Sequence, residues 1–451
     1  VTYSYDSFGN LTSATNALGS VVTTDYETTF YAYPEKVTNS LGHTVSYAYE
    51  PKFGVVKSST DPNNQVTTTN YDSLGRVTQV INQENQVVAA YSYPDFNTKV
   101  STNALGLFKT EYIDGLGRKY KTISSAEDGN LPRQVSAEAF YNTRGLTEKE
   151  SLAHYIDEDS SQIAYTRYEY DLRGRVKKAI ADFPGTLKDT ESQVFYISPL
   201  YTETTDPQGH KKGTLKDIFG NIVEVTEFTQ GGVYKTSYTY DLQNNLIKTA
   251  DAKGNITQIF YDSIGRKLKM LDPDMGTWTY EYDLLGNLTK QTDAKNQVLE
   301  FTYDALNRLT EKWGLSPQGT VPISLASYLY DDASRSYCIG RLSKVTDQSG
   351  STAFFYDKLG REIKSRKIVD SLEFIVYREY DTLDRLTKLT YPDGEVVNYT
   401  YDTNSGLLEK VSNSTNSINY VNSINYNAQG QIRAIQYGNN TSTAYTYGQD
   451  L

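Results

Sequence analysis

The sequence is poor in the residues that anchor most chemistry and most compact cores: one cysteine, two methionines, two tryptophans and three histidines among 451 residues. The lone Cys338 excludes an internal disulfide framework. Nothing beside it supplies a base, so it reads as a half-buried strand thiol and not as a reactive site. His43, His154 and His210 stand far apart, and none has a metal-ligating partner at a useful spacing. No P-loop and no Gly-x-Ser-x-Gly elbow occurs. No stretch approaches the roughly 18 consecutive apolar residues of a membrane helix. Runs of like charge are absent too, and a net charge of −11 argues against nucleic acid or an anionic membrane as the main partner. No signal peptide is visible. The chain opens Val1-Thr2-Tyr3-Ser4-Tyr5-Asp6, inside a repeat, and closes inside another at Tyr445-Thr446-Tyr447-Gly448, so a fragment of a longer protein is expected.

What is present in excess is tyrosine. Forty tyrosines supply much of a hydrophobic share of only 38%. An apolar ring with a polar tip suits a strand that is half buried and half wet. The tyrosines are also ordered. Tyr240-Asp241, Tyr261-Asp262, Tyr282-Asp283 and Tyr303-Asp304 recur at steps of 21 residues, and Tyr380-Asp381 and Tyr401-Asp402 repeat that step. Further copies begin at Tyr5, Tyr71, Tyr141, Tyr170, Tyr330, Tyr356 and Tyr426, and wider spacings fit insertions in connecting loops.

Four residues after the tyrosine stands a glycine: Gly9, Gly75, Gly145, Gly174, Gly265, Gly286, Gly360 and Gly430, with Gly117 and Gly220 in degenerate copies opened by Asp114 and Asp217. Where glycine is missing the slot holds Asn244, Asn307 or Asp384, the residue types that tolerate positive φ with least strain. The slot is therefore predicted to be left-handed. The aspartate before it (Asp6, Asp72, Asp171, Asp262, Asp283, Asp304, Asp357, Asp381) fits the first position of a turn, where its carboxylate accepts a backbone N–H two residues on. A second turn lies half a period away: Asn16-Ala-Leu-Gly19, Asn39-Ser-Leu-Gly42, Asp61-Pro-Asn-Asn64 and Asn103-Ala-Leu-Gly106 early in the chain, Asp206-Pro-Gln-Gly209, Asp251-Ala-Lys-Gly254, Asp293-Ala-Lys-Asn296 and Asp347-Gln-Ser-Gly350 later. Turns every 10 to 11 residues with period-two segments such as Tyr280-Glu281-Tyr282 predict an all-β chain of about 40 short strands.

The expected architecture is a tandem array of antiparallel β-hairpins with a period of about 21 residues, running through residues 1–451 as one continuous unit. So many strands cannot stay in one flat open sheet, and the strip is expected to curl or spiral. Residues 119–240 read as more irregular, loop-bearing repeats. Within and beside them, 124–138 and 151–159 lack the period and read as longer loops with at most a short helical turn, and 178–199 reads as an irregular insert. The arginine after the turn glycine (Arg76, Arg175, Arg266, Arg308, Arg361, Arg385) is expected to pair with Asp or Glu across hairpins.

The Tyr-x-Tyr-Asp-x-x-Gly-Arg-Leu wording resembles the YD repeat of Rhs-type proteins. Its best copies here are Tyr71-Asp72-Ser73-Leu74-Gly75-Arg76-Val77, Tyr261-Asp262-Ser263-Ile264-Gly265-Arg266 and Tyr356-Asp357-Lys358-Leu359-Gly360-Arg361, and copies cover essentially the whole chain. That family includes bacterial Rhs toxins, the B and C components of Tc toxin complexes, and the distantly related teneurins. The resemblance implies a spiralled, hollow β-shell that, in toxin members, encloses a C-terminal effector. It also implies a secreted or cell-surface location, and as partners the remainder of the shell, an enclosed effector and other toxin-complex subunits. The segment carrying the aspartyl self-cleavage site of such shells is not found; Asp206-Pro207-Gln208-Gly209 occupies an ordinary second-turn slot.

Other chemistry is weaker than the repeat that explains its residues. Asp331-Asp332 and Asp157-Glu158-Asp159 read as solvated turn carboxylates and not as a glycosidase pair. Asp272-Pro273-Asp274-Met275-Gly276 lacks most ligands of a calcium loop. The sequence thus predicts a structural wall segment without catalysis or cofactor. The rival reading is a module whose tyrosine stripe binds carbohydrate or a cell-surface protein.

Overall fold

The structure is a computed structural model that describes residues 1–129, 131–182, 190–315 and 322–447. These residues form 40 strands and one short 3-10 turn, Ser160–Gln162. Tyr-x-Tyr segments become strands because alternate side chains share a face. In Gly276–Tyr282 the rings of Trp278, Tyr280 and Tyr282 are half-buried, while Thr277, Thr279 and Glu281 face solvent. Each strand pairs antiparallel with its neighbours in the chain, as Tyr238↔Thr249, Thr249↔Thr257 and Ile259↔Met270 illustrate. One interruption occurs. Leu131–Tyr141 pairs with Lys119–Asp128 on one edge and His154–Tyr155 on the other, and its last three residues pair with Thr147–Ser151. Thr147–Ser151 in turn pairs with Tyr165–Tyr170.

The segment 124–138, expected as a loop, is instead the heart of the hairpin Lys119–Asp128/Leu131–Tyr141. Ser124-Ser125-Ala126-Glu127 carries no aromatic or β-branched residue, so its strand state is decided by cross-strand pairing and not by intrinsic preference. The region 178–199 likewise contains paired strands, Val176–Asp182 and Thr190–Tyr196; of the rest of that reading, 197–199 is irregular as expected and 183–189 lies outside the described residues. The region 151–159 holds the two-residue strand His154–Tyr155.

This sheet has little conventional core. Among the described residues only Ile180, Cys338, Ala353, Val397 and Ile424 are buried hydrophobics, and of these only Cys338 is fully buried. The solvent-accessible surface is 26446 Å². That is about one and a half times the roughly 17,000 Å² of a compact monomer of similar mass. A wall one sheet thick exposes both faces, which accounts for the excess.

The sheet does not close into a barrel: Thr2–Tyr5 pairs only with Leu11–Thr15, and Ser442–Ala444 only with Ile432–Tyr437. It winds instead. Hydrogen bonds join residues 265 and 276 positions apart, far beyond any hairpin: Ser40 to Ala305, Asn63 to Ile339 and Gln429 to Ala153.

Candidate functional site: the turn edge and its seam

The local unit is best seen at Asp262. Its Oδ1 accepts the N–H of Ile264 at 3.0 Å and of Arg266 at 2.9 Å, and its Oδ2 accepts Arg266 Nε at 2.7 Å. The Gly265 N–H donates to the Asp262 carbonyl at 3.1 Å with φ of +84°. The strand register then slips by one at Tyr261. This is a type I turn completed by a left-handed residue and a bulge. Asp72–Arg76, Asp171–Arg175, Asp304–Arg308, Asp357–Arg361 and Asp381–Arg385 repeat the Nε bond at 2.7 Å. Asn244, Asn307 and Asp384 adopt φ of 64°, 64° and 61° in the slot that Gly9, Gly75, Gly174, Gly286 and Gly360 fill elsewhere. In copies that follow the glycine with asparagine, the amide takes the arginine's place: Asn10 bonds Asp6 at 3.0 Å and Asn287 bonds Asp283 at 2.8 Å. Backbone hydrogen bonds from Arg76, Arg175 and Arg266 lead the causes that hold Asp72, Asp171 and Asp262 below the ordinary carboxylate range.

The expected cross-hairpin pairing is present at Arg308, with Asp331, and at Arg361, with Asp384 at 2.9 Å, but it is not the common element. Each arginine is held by its own turn aspartate, and its guanidinium lies over the tyrosine of the next repeat. Arg76 lies 4.1 Å from the Tyr93 ring, Arg175 3.7 Å from Tyr196, Arg308 4.3 Å from Tyr330, Arg361 5.1 Å from Tyr380 and Arg385 4.1 Å from Tyr401. That tyrosine in turn reaches back with its hydroxyl. Tyr261 donates to the Leu246 carbonyl at 3.0 Å, Tyr282 to Lys267 at 2.9 Å, Tyr303 to Leu288 at 2.9 Å and Tyr401 to Leu386 at 2.9 Å. Tyr71, Tyr170, Tyr356 and Tyr380 do the same to Val56, Thr147, Leu342 and Glu362. Burial pushes the hydroxyls of Tyr261, Tyr282, Tyr303 and Tyr401 above their ordinary ionisation range, so they stay donors. Tyr5 differs: at 61% exposed it covers no earlier hairpin among the described residues.

Because consecutive strands alternate in direction, Tyr-Asp turns line one edge of the strip and second turns line the other. Winding brings the second-turn edge of the first part against the Tyr-Asp edge of the last part. Ser40 Oγ donates to the Ala305 carbonyl at 3.1 Å, and His43 lies 3.7 Å from Asp331. Asn63 makes two reciprocal bonds to the backbone of Ile339, both at 3.0 Å. Leu107 packs on Gly406 so closely that a Cβ there would stand 2.7 Å from it. The carboxyl groups of Glu127 and Asp402 are buried beside each other, and Gln429 Nε2 donates to the Ala153 carbonyl at 2.7 Å. Sequence reading missed this seam. A signal for it existed: the early second turns carry Leu18, Leu41 and Leu105, whereas the corresponding later positions carry Lys253 and Lys295.

The Tyr-Asp edge before Asp304 is open, and it is apolar. Phe8, Leu74, Leu116, Leu172, Ile218, Phe219, Leu242, Ile264 and Leu284 occupy the middle of its turns and are each more than 60% exposed. Leu306, Leu359 and Leu383, in turns from Asp304 onward, are only partly exposed. Among the described residues no cluster of His, Cys, Asp or Glu could hold a metal ion, and no helix is long and apolar enough to cross a membrane.

Two overlapping segments, 261–298 and 282–312, match the RHS Repeat family model. No curated protein matches the sequence. Solved structures match closely in shape. The crystal structure of TcdB2-TccC3 superposes with a TM-score of 0.84 at 16% identity, covering 99% of this chain and 28% of that one. The same complex without its hypervariable C-terminal region gives 0.85 at 14%, covering 99% and 30%. The Photorhabdus luminescens Tc holotoxin pore gives 0.84 at 14%, again covering 99% and 30%. The chain thus spans about three tenths of the chains it resembles.

Proposed function

We propose that this RHS-repeat chain is a structural segment of a toxin shell, a length of wall that helps enclose an effector. The observation that carries the reading is the seam: the strip winds until its own edges meet, which is what a wall around a space requires. The repeat chemistry supports it. The chain's most regular polar groups, the Asp–Arg turns and the Tyr hydroxyls, are spent holding each hairpin to the next. The same commitment weighs against the carbohydrate-binding alternative at the stacked tyrosines, which lie against preceding hairpins with their hydroxyls on backbone carbonyls.

The open apolar edge supports the partner expected from the resemblance, the remainder of the shell. Exposed apolar rows of this extent mark contact surfaces, and this row continues directly into the seated stretch of the same edge. Secretion, an enclosed effector and contact with further toxin-complex subunits complete the proposal.

Limited proteolysis of the complete gene product tests it. A C-terminal fragment resistant while the wall is intact, and digested once the wall is melted, supports enclosure. Equal digestion in both states, or binding of the isolated array to a glycan panel, contradicts it.

A further inference from the structure

The seam contains one contact unlike the others. Glu127, at the tip of the hairpin Lys119–Asp128/Leu131–Tyr141, is 6% exposed and meets Asp402, 7% exposed, in the turn after Val396–Tyr401. Two carboxyl groups buried beside each other need one proton between them. Asp402 is already committed to its turn: Oδ1 accepts the N–H groups of Asn404 and Ser405, both at 2.7 Å. One oxygen of Glu127, Oε2, is buried with no partner.

We propose that Glu127 and Asp402 form an acid-held clasp, in which the protonated Glu127 carboxyl closes the seam and its ionisation opens it. The surroundings offer no cation to relieve the pair. From the facing strands Glu409 adds a third negative charge, and Tyr426 is a neutral phenol. From the adjacent His154–Tyr155, Tyr155 donates to the Glu127 backbone carbonyl at 2.8 Å and not to its side chain. On Glu127's own hairpin, Arg133 is taken by Asp128 at 2.7 Å and by Asp157. Arg433 acts on Tyr155 and is not among the groups that bear on Glu127.

Burial, reinforced by Asp402 and Glu409, pushes Glu127 up to about 7 from its ordinary 4.5. Burial also pushes Asp402 up, but hydrogen bonds from Glu127, Ser405 and Asn404 outweigh it and hold Asp402 below its usual range. The two directions describe one proton resident on Glu127. A raised folded value means that the contact's stability is complete below the ordinary value of 4.5 and is lost as pH rises toward 7.

The clasp rests on the seam and not on the shell reading, since a wall with a pH-insensitive seam would still be a wall. The test is amide hydrogen exchange at residues 125–129 and 402–407 of the whole chain, corrected for the intrinsic pH dependence of exchange. In the unaltered protein local opening should rise by up to about tenfold per pH unit between about 4.5 and 7 and then level off. Glu127→Gln, which keeps a donor for Asp402 without a titrating proton, should flatten the profile. Asp402→Asn, which removes the neighbouring charge but leaves the burial that is the first cause of the raised value, should narrow the rise without abolishing it, and asparagine already opens the shorter turns at Asn142 and Asn427. A flat profile in the unaltered protein, or the same rise in both variants, overturns the clasp.

Discussion

The same turn edge exists here in two conditions. From Asp304 onward it carries the strip's own opposite edge, and its contacts there are polar and directional: Asn63 on the Ile339 backbone, Ser40 on the Ala305 carbonyl, Glu127 on Asp402. Before Asp304 it carries nothing among the described residues, and its turn centres are large and apolar. The turn geometry does not differ between the two stretches, since Asp262 and Asp381 bind their arginines identically at 2.7 Å. The backbone unit is thus independent of its surroundings, and the two middle residues of the turn, which the hairpin leaves unconstrained, carry the information about what lies against the edge.

Substitutions that separate turn geometry from contact should show this most clearly. Gly406→Ala meets both a left-handed backbone and Leu107 across the seam, and should cost about 2–4 kcal/mol. Gly9→Ala, with a similar positive φ and nothing within 4 Å, should cost only about 1–2 kcal/mol. Denaturant melts of the two variants give the difference, and equal costs would break the comparison. Asn63→Ala leaves the N–H and carbonyl of Ile339 without their seam partner, a loss of about 1–3 kcal/mol by the same measurement.

The tyrosine ladder should be blind to the comparison. Tyr261→Phe on the open stretch and Tyr401→Phe on the seated one each remove a hydroxyl bond to a carbonyl 15 residues back, and each should cost about 1 kcal/mol. Smallest of all, Leu116→Ser or Phe219→Ser should change the melting of the isolated chain by no more than about 0.5 kcal/mol. The same changes should lower its self-association in sedimentation, because only solvent touches those side chains now.

Much of the wall was legible in the sequence because its cause is local. A glycine, asparagine or aspartate slot four residues after a tyrosine reports positive φ directly, and the 21-residue step reports two strands per repeat. What was missed depends on partners distant in the chain. Residues 124–138 look like a loop because serine and alanine carry no strand preference, yet Lys121↔Glu138 and its neighbours pair them. Arg266 looks like a cross-hairpin partner, yet Asp262 four residues earlier is closer to hand. The seam joins residues about 270 positions apart, and only the exchange of Leu18, Leu41 and Leu105 for Lys253 and Lys295 hinted at which turns lie against something.

The winding itself can be measured. Ser40 and Ala305, replaced by cysteine and spin-labelled, stand on opposite sides of the seam, and the native Cys338 is fully buried and stays unlabelled. A wound strip predicts a short, narrow distance distribution for this pair by pulsed electron spin resonance. An unwound strip separates them by about two dozen strands at roughly 4.8 Å each, on the order of 100 Å, and a distance of that size, or a broad distribution reaching it, would contradict the account.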